Sequence, residues 1–115
     1  MHPIEHLRYV ARTGHSDPLA VAEEVAYALL ALANDANGLL VGCRLVIEYH
    51  PNNVALWWVC ARAVTSFEPR RTLRECMEML HGVSEEESLP WDVPLAELQR
   101  QYPEATHLLR NAHTI

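Results

Sequence analysis

Apolar positions along this chain recur every three or four residues, in stripes separated by clusters of turn-forming residues. Ile4, Leu7, Val10 and Ala11 share one side of a helix over residues 3–12, with Pro3 where a first turn tolerates it. Asp17 is placed to cap a second helix, with Pro18 at its first position and Leu19, Ala22, Val25, Ala26, Leu29 and Ala33 on one stripe. Asn34-Asp35-Ala36-Asn37-Gly38 reads as a turn. A third helix then runs from Leu39 to about Tyr49 and stops at His50-Pro51-Asn52-Asn53. Proline disfavours helix in the residue before it and asparagine is a strong N-cap, so these four residues end one helix and begin the next.

The segment after that turn, Val54 to Ala61, is apolar without interruption and carries Trp57 and Trp58. Such a run also suits a buried strand. Helix is preferred because the apolar character continues through Ala63 and Val64 and no second strand exists to pair with it. Being apolar all round, this fourth helix is expected to be the most buried element. A fifth starts near Glu68-Pro69, shows Leu73, Cys76, Met77 and Leu80 at i, i+3, i+4 and i+7, and closes at His81-Gly82. Residues 83–94 are acidic and proline-rich, with Leu89 and Trp91 able to pack back on the bundle. Two short helices follow, Leu95 to Tyr102 and Glu104 to Ala112, divided by Pro103.

The pattern therefore predicts an all-α, single-domain bundle of about five helices with a short, loosely packed helical C-terminal extension. Residues 1–82 form the bundle core, 83–94 a linker packed on it, and 95–115 the extension of the same domain. The hairpin over 39–66 looks like one tetratricopeptide unit, but residues 5–32 and 73–100 do not repeat its turn.

Composition narrows the picture. A chain of 115 residues, half apolar and about a fifth charged, can build one core without staples. No apolar run reaches the ~18 residues of a spanning helix, and the N-terminus has no signal-like arrangement, so a cytoplasmic location is expected. The net charge of −6 argues against nucleic acid. All nine basic residues are arginine, as a high-GC coding bias produces; the densest spot, Arg70-Arg71-Arg74, reads as a solvated helix face. Cys43, Cys60 and Cys76 form no Cys-x-x-Cys pair and sit among apolar residues, as reduced core thiols do.

Candidate chemistry is sparse. His2-Pro3-Ile4-Glu5-His6 has the spacing of inverted zinc peptidases, in which two histidines share a metal and the glutamate polarises its water. Glu23, Glu24 and His107 are the candidates for a third ligand, yet the pair lies on a terminal turn, so no metal site is assigned. No glycine-rich phosphate loop and no activated nucleophile occur, and neither catalytic residues nor cofactors are assigned. A pocket among Trp57, Trp58, Met77 and Met79 would suit a small-molecule sensor.

Two stretches carry a family resemblance: His2 through Arg12, and Leu45-Val46-Ile47-Glu48-Tyr49-His50-Pro51 through Leu56-Trp57-Trp58-Val59-Cys60-Ala61-Arg62. Over residues 2–66 they resemble the N-terminal helical region of actinobacterial proteins akin to the alpha, beta and delta subunits of translation initiation factor 2B. The resemblance implies a helical region preceding a Rossmann-like domain whose relatives include sugar-phosphate isomerases. The chain is expected to end before such a domain, and no active-site residue carries over.

The sequence reading is thus a non-enzymatic interaction or assembly module, self-associating or docking on a partner protein, without nucleic acid or membrane. The alternatives are a helical part of a sugar-phosphate enzyme and a hydrolase using His2, Glu5 and His6. Two adjacent indoles on a helix point about 100° apart, so Trp57 is expected in the core and Trp58, beside Arg62, at a partner surface. Trp58, Arg62 and Trp91 are the candidate interface; burial of both rings under Leu89 and Trp91 is the competing arrangement.

Overall fold

Each α-helix among the described residues begins at a capping side chain or at a proline, which lacks an N–H to satisfy. The computed structural model describes residues 3–12, 17–82 and 88–110. Its elements are α1 (Pro3–Arg12), α2 (Pro18–Leu29) continuing into a 3-10 turn (Leu30–Leu32), α3 (Ala36–Tyr49), α4 (Val54–Val64), α5 (Pro69–His81), α6 (Leu95–Gln101) and α7 (Pro103–Leu109). The protein is all-α, and no strand occurs among the described residues. Residues 54–64 are helical, which settles the choice at the centre of the chain.

Asp17 caps α2 by accepting the Leu19 N–H at 3.0 Å. Asn53 caps α4 by accepting the Leu56 N–H at 3.0 Å, while its amide donates to the Pro18 carbonyl at 3.0 Å. One side chain therefore starts α4 and ties it to the start of α2. Asp35 accepts the Gly38 N–H at 2.9 Å. That cap pulls Ala36, Asn37 and Gly38 into the first turn of α3, so the helix begins three residues earlier than the turn-rich composition suggests.

The core is one cluster with α4 at its centre. Ala55 through Ala61 are all buried, as is Ala63. Helix α4 is walled by α2, α3, α5, α6 and α7. Gly42 lets α3 approach closely, because a Cβ there would lie 2.8 Å from Leu7 Cδ2 and 3.0 Å from Leu32 Cδ1. The C-terminal helices are not a loose extension: Leu98, Ala105 and Leu109 are buried in the same core. Arg44 on α3 also donates from Nε and Nη2 to the Leu108 carbonyl, at 3.0 and 2.7 Å, which holds the last turn of α7 against α3. No helix of the described residues is long and apolar enough to cross a membrane.

Candidate docking surface

The three residues singled out as an interface by sequence lie elsewhere. Trp58 is 1% exposed and Trp91 is 7% exposed. Their rings pack with centroids 4.8 Å apart, and Leu89 is packed against the same core. Arg62 is half-buried: its guanidinium lies 5.5 Å from the Trp58 ring centroid, 3.5 Å from a Glu75 carboxylate oxygen and 3.9 Å from Cys76 Sγ. The expectation that Trp58 reaches solvent is overturned because the chain after α5 returns across α4 and covers its open side. Trp57 is in the core as expected, edge-on to Tyr102 with centroids 6.3 Å apart. Both indoles are packed in the core, Met77 is half-buried and Met79 is partly exposed.

Other sequence candidates also disperse. His2 lies outside the described residues, while Glu5 and His6 are exposed on α1. Glu23 meets His81 Nδ1 at 3.3 Å, bridging α2 and α5. Among the described residues no three His, Cys, Asp or Glu side chains gather as a metal site would need. Cys43, Cys60 and Cys76 are free thiols in the core. Burial pushes the Cys60 thiol well above its ordinary range, and the neighbouring Cys43 adds to this. Burial also raises Cys76 to about 11, against a lowering influence from Arg62. Protonated, enclosed thiols are poor nucleophiles.

The surface feature that does stand out is at the corner between α4 and α5. Thr65 ends α4 with its hydroxyl on the Ala61 carbonyl at 2.8 Å. Ser66 Oγ accepts the Glu68 N–H at 3.0 Å and lies 2.6 Å from Thr72 Oγ1. Pro69 then opens α5. The turn is thus pinned on its inner side by Ser66, and Phe67 is left fully exposed, at 105% of its reference area. Met79, Tyr49, Val41, Tyr9 and Tyr27 are partly exposed; Phe67 exceeds them all.

Phe67 also borders a depression of about 480 Å³ whose floor is mainly Leu39, Leu40, Ala63, Val64 and Leu108. Its polar side chains are Asn34 and Ser66, and the Ser66 hydroxyl is already engaged. A lone exposed apolar residue is ordinary; one beside an apolar groove makes a continuous apolar patch. Next to it, on α5, a shallower depression is framed by Arg70, Arg71 and Arg74 together with Glu68, Glu75 and Glu78. Sequence reasoning passed over Phe67 because it lies between helices. The available signal was that the only phenylalanine of the chain stands among cap and turn residues, in Thr65-Ser66-Phe67-Glu68-Pro69.

Comparison of the chain with protein-family models, with curated proteins and with solved structures gives no match in any of the three.

Proposed function

We propose that this chain is a protein–protein interaction or assembly module that engages its partner through the corner between α4 and α5. The observation that supports this reading is the fully exposed Phe67 beside the apolar groove. Burying a phenylalanine contributes about 1.5–3 kcal/mol, so leaving one in water on a turn held rigid from inside is a stability cost that a partner recovers. The groove offers apolar walls and no converging acids or bases, which suits docking better than proton transfer.

Site-specific photocrosslinking tests the proposal. A benzophenone amino acid is placed at position 67 of the full chain, and at the exposed Tyr27 of α2 as a control, in cells of the source organism. A discrete protein adduct at 67 and none at 27 is the expected result. Equal, diffuse labelling at both positions, or none at 67, removes the proposal.

A further inference from the structure

The outward face of α5 says what kind of partner fits. Helix α5 buries Leu73, Cys76 and Leu80 on one side. On the opposite side Arg71, Arg74 and Glu78 follow one another at spacings of three and four, a single stripe, and the exposed Phe67 stands in the bend just before the helix. Charge along this helix is divided by halves. Behind the acidic cap residue Glu68, Arg70, Arg71 and Arg74 occupy the first half of the helix, and Glu75 and Glu78 the second. Such a helix repels a parallel copy, like charge over like. An antiparallel copy is its complement, basic half over acidic half, twice over.

We propose that the partner is a second copy of this chain, packed about a two-fold axis that crosses α5 near its middle. The proposal rests on the assembly reading of the Phe67 corner and specifies its occupant. A two-fold contact is self-complementary by construction, and an axis perpendicular to a helix makes the two helices antiparallel. Full overlap of the 13-residue α5 brings Arg71 of each copy to the Glu78 turn of the other, with a Phe67 corner at each end of the contact. The patch is also neutral, three arginines against three glutamates, on a chain whose net charge is −6. The face that meets its copy is therefore spared the repulsion that the rest of the molecule carries.

The existing ion pairs do not stand in the way. Arg71 meets Glu68 at 3.5 Å and Glu75 at 3.4 Å, but its side chain is 75% exposed and free to exchange partners at little cost. Neither Arg74 nor Glu78 has an ion-pair partner among the described residues. Two helices of about 20 Å bury less than the ~800 Å² per partner of a standard interface. The dimer is accordingly weak, reversible and sensitive to salt.

Sedimentation velocity on the full chain over a concentration series, at low and at high salt, gives the first reading. Wild type is expected to shift with concentration toward twice its 13.1 kDa mass, and high salt to weaken that shift. Arg71→Glu and Glu78→Arg are then made singly, with circular dichroism melts confirming that each is folded. Each homodimer now sets like charges together at two symmetric places, and its Kd is expected to rise about tenfold or more. An equimolar mixture of the two variants restores opposite charges at both places and is expected to form a heterodimer as tight as wild type. A monomeric wild type at every concentration, a Kd indifferent to either reversal, or a mixture no tighter than its components overturns the proposal. If wild type is monomeric while position 67 still crosslinks to a different protein, the second copy is excluded and the assembly reading stands.

Discussion

Trp58 and Trp91, separated by 33 residues of sequence, pack with their ring centroids 4.8 Å apart and their planes at 57°. This contact closes the bundle: Trp91 lies in the segment between α5 and α6 and covers the side of α4 that five helices alone would leave open. Large-to-alanine changes at buried tryptophans cost about 3–5 kcal/mol. Trp91→Ala is expected to lose that amount in urea unfolding and to shift the Trp58 emission to the red. A loss below about 1 kcal/mol would mean that the segment merely rests on the bundle.

Arg44 acts as a C-cap supplied from another helix. Its two donors on the Leu108 carbonyl are charge-assisted, a class worth about 1.5–3 kcal/mol per bond to a charged group. Arg44→Ala is expected to destabilise the fold by about 2 kcal/mol, with faster amide exchange concentrated in α7. Arg44→Lys recovers part of this, because an ammonium cannot present the guanidinium fork. Uniform acceleration across all helices would contradict the local role.

The two asparagines of the turn before α4 are not equivalent. Asn53 makes the cap and the bond to Pro18, whereas Asn52 is exposed in the turn. Asn53→Ala should cost about 1–2 kcal/mol. Asn52→Ala is expected to change stability by less than about 0.5 kcal/mol. Equal effects in thermal unfolding would contradict this division.

Gly42 tests the approach of α3 to α1 and α2. Alanine is favoured over glycine in a helix by about 1 kcal/mol, yet the added methyl would meet Leu7 and Leu32 inside a filled core. Overpacking costs typically ~1–3 kcal/mol. Gly42→Ala is therefore expected to lower the melting temperature despite its better propensity. A rise would show that the two leucines yield freely.

Burial raises Cys76 to about 11 from an ordinary 9.0, and raises Cys60 well above that ordinary value too. Below pH 9 both folded and unfolded chains hold these protons. Between about 9 and 11 the unfolded chain releases them first, so stability falls as pH rises through that window. The Cys76 share is about 2 kcal/mol. Urea melts from pH 8 to 10.5 should show a shallower alkaline loss in Cys76→Ala than in wild type. Identical slopes would show that this thiol does not contribute.

Helix positions and the identity of the central helix were legible in the residues themselves, because both follow from local chemistry. Asp17-Pro18, Asn53 and Glu68-Pro69 start helices wherever they stand, and the apolar stripes of α2 and α5 name their own buried faces. The three cysteines sit in the core that their apolar neighbours implied. What sequence could not decide was which side of α4 stays open. Every residue of that helix except Arg62 is apolar enough to be buried, so its exposure depends on what the chain after α5 does 30 residues later. Placing Trp58 at the surface followed from the ~100° between adjacent indoles and from the neighbouring Arg62; Trp91, Leu98, Ala105 and Leu109 supply the wall that covers it. Phe67 is the converse case. Nothing in its type distinguishes it from a core residue, and only the Ser66 hydrogen bonds and the course of the turn place it in solvent. Local bonding and periodicity are properties of neighbours in sequence. Enclosure and exposure belong to the assembled whole, and the tertiary structure alone assigns them.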